Sequence, residues 1–169
     1  MRLTDHEKAM LDGDFGEMPQ QALQALCDLA SFYGVEEFVE IVGCHDDSTV
    51  YAGEAQVAFA EHLAEHGAKF AVPTTTNATA CDINLWNRQK HDVQTMSATR
   101  RIEAAHVKMG AIPTWSCAPY HVGVAPSFGQ QFASAESNVI CYYNSIIGAR
   151  TNRYAGPLEL LCGIAGRAP

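Results

Sequence analysis

The chain is short of positive charge. Its 11 lysines and arginines stand against 19 aspartates and glutamates, which gives a net charge of −8. Nucleic acids and anionic membrane surfaces bind clustered positive charge, so this balance argues against both as partners. A small anionic ligand remains compatible with it, because a local pair of arginines can override the overall sign.

Long hydrophobic runs are also lacking. No apolar stretch reaches membrane-spanning length, and the charged first seven residues have no signal-peptide apolar core. We therefore expect a cytoplasmic protein that does not associate with membranes. The six cysteines include no Cys-x-x-Cys pair, and a disulfide framework is not expected in a reducing compartment.

The chain does have enough apolar residues for a packed core, at 47% apolar and 18% charged residues. Its 169 residues suit one domain or part of a larger one. Strand-like runs alternate with helix-like runs, which predicts an α/β fold with a mostly parallel sheet flanked by helices. No repeat, low-complexity tract or linker interrupts this pattern, so we expect residues 1–169 to form a single α/β domain.

Periodicity and capping signals place the individual elements. Thr4 and Glu7 predict a capping box at the start of the first helix. Helices are predicted at residues 5–12, 19–33, 53–66, 97–109 and 158–164, with a short one starting near residue 82. Strands are predicted at residues 38–43, 69–72, 112–116 and 138–143.

A polar cluster follows each predicted strand, at residues 44–48, 74–77, 117–120 and 144–153. In open α/β sheets the carboxyl ends of the strands form the ligand crevice, so the four clusters predict one shared site. The last cluster holds Asn144, Ser145, Arg150 and Arg153, and a guanidinium matches both oxygens of a carboxylate. A carboxylate clamp and a polar helix start with solvated arginines explain this composition equally well.

The other clusters also leave alternatives open. His45 and Asp47 suit either an acid–base pair or a helix-capping turn. Residues 74–77, which end at Asn77, can bind a hydroxy-acid oxygen or simply satisfy a turn. Cys117 fits a catalytic thiolate, an iron–sulfur ligand or an inert buried thiol. An iron–sulfur cluster needs several thiolates, so its other ligands must come from elsewhere.

Taken together, the clusters resemble the aconitase X family, a branch of the aconitase superfamily. The stretch Gly-Ala-Arg-Thr-Asn-Arg at residues 148–153 is highly specific. The resemblance implies the N-terminal portion of an aconitase-like catalytic region and a hydro-lyase activity. The matches run in collinear order through residues 3–5, 45–51, 67–69, 72–75, 77, 114, 117–120, 136–137, 144–145, 148–153 and 156.

The resemblance also implies roles for single residues. Cys117 matches the first of three ligands of an iron–sulfur centre, whose iron would polarise the substrate hydroxyl as a Lewis acid. His45-x-Asp47 is similar to the bacterial cis-3-hydroxy-L-proline dehydratase branch, which favours a small carboxylate substrate like hydroxyproline. The positions that match substrate contacts are Ser48, Thr49, Val50, Asn77, Ala78, Glu136 and Ser137.

Two departures from the family concern substrate and completeness. Archaeal phosphomevalonate dehydratases favour Gly-Val-Ser and Asn-Pro where this chain has Ser48-Thr-Val and Asn77-Ala. These differences favour the hydroxyproline-like substrate, and phosphomevalonate is kept as the alternative. The family's catalytic region continues beyond residue 169, with two more cluster cysteines and a small swivelling domain. We therefore expect either a fragment of a longer enzyme or one piece of a split enzyme, whose partners are a complementing fragment of the large region and a small swivelling subunit.

Two further hypotheses remain. The chain could be a non-catalytic remnant that binds a small carboxylate without turnover. It could also be a metal-independent α/β enzyme that uses His45 and Asp47 as acid and base, in which case it would tolerate Cys117→Ser.

Overall fold

A computed structural model describes residues 1–82 and 84–169 of the chain. Short strands and longer helices alternate along it, as the α/β prediction requires. In chain order they are α1 (Asp5–Leu11), α2 (Glu17–Tyr33), β1 (Val39–Glu40), β2 (Cys44–Asp46), α3 (Glu54–Glu65), β3 (Thr74–Thr76), α4 (Val93–Lys108), β4 (Ala133–Ser134), α5 (Ser137–Tyr142), α6 (Gly156–Ala165) and β5 (Arg167–Ala168).

The central sheet is parallel, with β2 between β3 and β4. Single parallel bridges widen it on both sides, from Thr75 to Ile112 and from Gln131 and Ser134 to Arg150 and Arg153. A second, antiparallel pair joins β1 to β5. The carboxyl ends of β2, β3 and β4 therefore open at one edge of the central sheet.

The main core lies where α2 and α6 pack together and α6 covers the sheet. Leu26 and Ala30 of α2 and Cys162 and Ile164 of α6 are fully or almost fully buried in one apolar cluster. A smaller cluster joins α3 to α4 through Val57, Ala98 and Ile102. Within residues 1–82 and 84–169, none of the helices is both long and apolar enough to cross a bilayer.

The helices follow the sequence patterns closely. The capping box is present at α1, where Glu7 N donates to Thr4 Oγ1 and Thr4 N donates to Glu7 Oε2. The helix predicted at residues 97–109 begins earlier, because Asp92 caps α4 by accepting from Thr95 N at 2.9 Å. The short helix predicted near residue 82 involves residue 83, which lies outside the described residues, and a 3₁₀ turn follows at Trp86–Arg88.

The predicted strands were less accurate. The central strand is Cys44–Asp46 and not residues 38–43, of which only Val39–Glu40 form a strand, in the other sheet. Likewise, β3 is Thr74–Thr76, where a loop was expected after a strand at residues 69–72. Both true strands are completely buried, and their polar side chains bond to one another, as His45 Nδ1 does to Thr75 Oγ1 at 2.7 Å. A prediction based on hydrophobic runs missed these strands because their residues are mostly polar.

The strand predicted at residues 138–143 was wrong, because this segment is helix α5, which continues as a π-helical turn over Tyr143–Ile147. Glu136 begins the helix by accepting a hydrogen bond from Asn138 N at 3.0 Å. Val139 and Tyr143, four residues apart, then bury the same helix face. A short apolar run of branched and aromatic residues fits a strand or a helix equally well. Here the N-cap at Glu136 favours the helix.

Candidate active site

Three polar side chains meet at the carboxyl edge of the central sheet. Asp47 follows β2, Asn77 follows β3, and Glu136 lies two residues after β4. The Asn77 side-chain amide donates to Asp47 Oδ1 and also to Glu136 Oε2, the latter at 2.8 Å. Asn77 is buried and the two carboxylates are half-buried, so solvent reaches part of both carboxylates.

The pKa values of the two carboxylates are shifted in opposite directions. Burial raises the pKa of Asp47, and the nearby negative charge of Glu136 raises it further, against the hydrogen bond from Asn77. Burial alone would also raise the pKa of Glu136, but the bonds it accepts from Asn138 N and Asn77 outweigh it, and its pKa lies below the ordinary value. Neighbouring carboxylates with pKa values pushed apart are the pattern of an acid and a base.

His45 is fully buried and faces Thr75, so the structure does not pair it with the Asp47 carboxylate among the described residues. Burial lowers the pKa of His45 to about 4, which keeps the imidazole neutral at physiological pH. Its Nε2 has no hydrogen-bond partner in the described part of the chain. Of the predicted pair, Asp47 lies in the site and His45 lies beneath it; the catalytic role of His45 stays a prediction.

The turn after β2 carries three of the residues expected to bind substrate. Ser48 N donates to Asp46 Oδ1 at 2.7 Å, and the buried Thr49 hydroxyl donates to Ala78 O at 3.0 Å. The first bond closes the turn and the second joins it to the segment after β3, while Val50 is exposed. Ser48, Thr49 and Ala78 therefore lie beside the Asp47–Asn77 contact, and their role in binding substrate stays a prediction.

A cleft of about 330 Å³ continues from Ala78. Trp115 lines it with a φ of 45°, an unusual conformation for a residue other than glycine. Strained backbone of this kind concentrates at functional sites, which favours the cleft as part of the site. The cleft is lined by Ala78, Thr79, Cys81, Asp82, Asn84, Thr114 and Trp115.

Cys117 lies near the start of α5, where Asn138 Nδ2 donates to its backbone oxygen at 3.4 Å. Its thiol is free and half-buried, and the exposed Ser137 hydroxyl bonds to Glu136 Oε1 at 3.4 Å. In the part of the chain that the structure describes, no three His, Cys, Asp or Glu side chains are arranged to hold a metal ion. The residues present therefore do not by themselves fit an iron–sulfur centre, for which Cys117 offers one thiolate.

The arginine-rich segment lies at the edge of the sheet, but its side chains turn elsewhere. The Arg150 guanidinium donates to Gly148 O and Ala149 O, at 3.0 and 3.1 Å, and Asn144 bonds to Thr151 O and Ile140 O within its own turn. Arg153 and Ser145 are exposed. Among the described residues, none of these side chains contacts the Asp47–Asn77–Glu136 group, so the carboxylate clamp stays a prediction.

The sequence reasoning missed two buried ionisable groups that contact β2 or the turn after it. Glu159 of α6 accepts hydrogen bonds from the backbone N–H groups of Asp47 and Ala135. His106 of α4 lies with its Nδ1 against Asp46 Oδ2, and both side chains are fully buried. The signal available for Glu159 was a single acidic residue among leucines in an apolar helix, which is costly to bury without partners.

The whole chain, residues 1–169, matches the family model described as aconitase X first domain. It is 36% identical to the cis-3-hydroxy-L-proline dehydratase of Pseudomonas aeruginosa over 168 residues, which cover 99% of this chain and 29% of that protein. It is 34% identical to the phosphomevalonate dehydratase large subunit of Methanothermobacter thermautotrophicus, covering 96% of this chain and 41% of the relative.

The structural comparison agrees. The crystal structure of Thermococcus kodakaraensis aconitase X in its holo-form matches with a TM-score of 0.88 and 33% identity, over 100% of this chain and 42% of that chain. The chain thus spans less than half the length of these relatives. The full-length family match and the shared fold lead to one conclusion: the chain belongs to the aconitase X family.

Proposed function

We propose that the chain is a component of a hydro-lyase that removes water from a small hydroxy acid similar to cis-3-hydroxy-L-proline. One observation carries the proposal: Asn77 holds two carboxylates side by side, and their pKa values are shifted in opposite directions. Relatives named as dehydratases support it, because they match nearly the whole of this chain.

The two carboxylates have the complementary roles that a dehydration needs. Glu136, kept ionised, takes the proton from the carbon next to the substrate carboxylate, and the electrons of that C–H bond form the new double bond. The C–O bond at the neighbouring carbon breaks, and the hydroxyl leaves as water with the proton of Asp47. Glu136 ends protonated and Asp47 ionised, and exchange with solvent restores both.

The choice of substrate rests on a comparison of sequence identities with two groups of relatives. Two cis-3-hydroxy-L-proline dehydratases, from Pseudomonas aeruginosa and Hypocrea jecorina, are each 36% identical to this chain. The phosphomevalonate dehydratase large subunits are 31% to 34% identical, so phosphomevalonate is the second candidate. Ser48, Thr49, Val50, Asn77 and Ala78 would contact either substrate, and Arg150 and Arg153 would need to turn inward to bind its carboxylate.

The rest of the enzyme is also part of the proposal. Cys117 would be one ligand of an iron–sulfur centre whose other ligands lie outside this chain. A complementing part of the large region and a small swivelling subunit would complete the site, and the term large subunit in the names of several relatives supports this division. Six free cysteines suit a cytosolic location.

Substitution of the two carboxylates in the completed enzyme tests the proposal. Co-expressed with its complementing polypeptides, the chain should dehydrate cis-3-hydroxy-L-proline, and Asp47→Asn and Glu136→Gln should each lower kcat by about 100-fold or more. Glu37→Gln serves as the control, because Glu37 forms an exposed ion pair with Arg2. Measured rates that do not change in the two site variants would contradict the proposed roles.

Cys117→Ser separates the remaining hypotheses. In the completed hydro-lyase this change should lower the bound iron and the dehydration rate together. Full activity without Cys117 would support the metal-independent alternative. Binding of the hydroxy acid without any turnover by the unaltered complex would instead support a non-catalytic remnant.

A further inference from the structure

Glu159 is a fully buried carboxylate that the proposed chemistry does not use. It lies in the first turn of α6 and reaches toward the carboxyl edge of the central sheet. Its Oε1 accepts the backbone N–H of Asp47, and its Oε2 accepts the backbone N–H of Ala135. The Ser48 hydroxyl adds a third, longer contact to Oε1 at 3.4 Å.

These contacts join the two segments that carry the proposed acid and base. Asp47 is bonded through its own backbone, and Ala135 immediately precedes Glu136 in the chain. One side chain therefore bonds to both the turn after β2 and the turn after β4. The Asn77 amide nitrogen also reaches both carboxylates.

Fold stability alone gives a poor reason for a carboxylate at this position. Burial raises the pKa of Glu159 well above its usual range, and the negative charge of Asp46 raises it further. Burying a carboxyl group costs free energy, and an apolar side chain such as Leu160 or Ile164, both buried in the same helix, avoids that cost. The two backbone N–H groups are what distinguish position 159 from its apolar neighbours.

We propose that Glu159 is a positioning residue that sets the separation of Asp47 and Glu136, and so allows Asn77 to bridge them. The role in catalysis rests on the proposed function, whereas the positioning itself does not. Because catalytic groups misplaced by about 1 Å can lose about 100-fold in rate, the spacing of the two turns matters for turnover.

Nuclear magnetic resonance of the isolated chain tests the positioning directly. The side-chain NH₂ signals of Asn77 report whether it bonds to both carboxylates. Glu159→Gln keeps the shape but offers only one acceptor oxygen for the two N–H groups, so the Asn77 signals should move toward those of a free amide. Unchanged Asn77 signals in a folded Glu159→Gln protein would overturn the proposal.

The matched control is Glu7→Gln. Glu7 is also a buried glutamate, but it bonds to Arg167 and to the start of α1, at neither of the two turns. This variant should lower the melting temperature and leave the Asn77 signals in place. A shift of those signals in Glu7→Gln as large as in Glu159→Gln would show a general loss of stability and overturn the specific role.

Two further measurements keep the tests independent. In the unaltered chain the amides of Asp47 and Ala135 should exchange slowly with deuterated solvent, and fast exchange at both would overturn the proposal even where Glu159→Gln fails to fold. In the completed enzyme Glu159→Gln should lower kcat by about 100-fold with little change in KM. If the unaltered complex dehydrates no hydroxy acid, the proposed function fails, while the Asn77 signals still decide the role of Glu159.

Discussion

The burial of His45 in the central sheet makes the stability of the protein depend on pH. Its imidazole lies inside the central sheet, where it bonds to Thr75 and has no exposure to solvent. Because burial disfavours the charged form, the pKa of His45 falls from 6.5 to about 4. Between about pH 4 and pH 6.5 the folded protein therefore holds a neutral imidazole where the unfolded chain would hold a charged one.

This difference predicts a loss of stability in mild acid. Above pH 6.5 the imidazole is neutral in both states and adds no pH dependence. As the pH falls from 6.5 toward 4, only the unfolded chain binds the proton, and the free energy of unfolding should drop by about 3 kcal/mol from this group. Urea unfolding between pH 7 and pH 4.5 measures the slope.

The comparison of two histidine variants isolates this effect. His45→Gln should flatten the dependence of unfolding free energy on pH, because the titrating group is gone. His66→Gln, at an exposed position at the end of α3, should leave the slope as it is. Equal slopes in the two variants would contradict a buried, neutral His45.

At the scale of single elements, α6 positions the site through close packing as well as through Glu159. Its first residue, Gly156, lies so near the turn after β2 that an added Cβ would come within 2.8 Å of Ser48 Oγ. The backbone of Gly156 is not in the left-handed region, so the restriction comes from space and not from conformation. A small residue here lets the helix end approach the Ser48 hydroxyl.

Gly156→Ala should therefore affect the site more than the fold. Alanine favours helices by up to about 1 kcal/mol over glycine, which offsets much of the crowding, so the melting temperature should change little. The displaced Ser48 hydroxyl should raise KM for the hydroxy acid in the completed enzyme. In the Ser48→Ala background, where the crowded oxygen is absent, Gly156→Ala should add no further change in KM; an additive effect would contradict the packing argument.

At the scale of the whole molecule, the core between α2 and α6 supplies the stability on which the buried polar groups depend. Leu26 of α2 is fully buried in that core, whereas Phe32, near the end of the same helix, is 82% exposed. Leu26→Ala should lower the free energy of unfolding by about 2–5 kcal/mol, because it leaves a cavity as well as losing apolar burial.

Urea unfolding of the two alanine variants tests where the core lies. Phe32→Ala removes a larger side chain but should change the free energy of unfolding by less than about 0.5 kcal/mol in the isolated chain. A loss in Phe32→Ala as large as in Leu26→Ala would show that the end of α2 is covered rather than exposed.

The residues that sequence reasoning placed well were those whose signals are local. The capping box at Thr4 and the α/β alternation depend on neighbours within a few positions, and both are confirmed. The resemblance to the aconitase X family is confirmed as well, since it needs only the order of short motifs. For the same reason Asp47, Asn77 and Glu136 could be selected as candidates before any fold was known.

Tertiary structure decided what those candidates do together. The sequence does not show that Cys44–Asp46 and Thr74–Thr76 are the buried strands, because their polar side chains find partners only once the strands pair. It shows neither the Asn77 bridge nor the support from Glu159, since these bonds join residues between 24 and 112 positions apart. Local residue types determined most of the helices and the candidate groups; long-range hydrogen bonds, which form only in the packed chain, decided which carboxylates meet and which way their pKa values move.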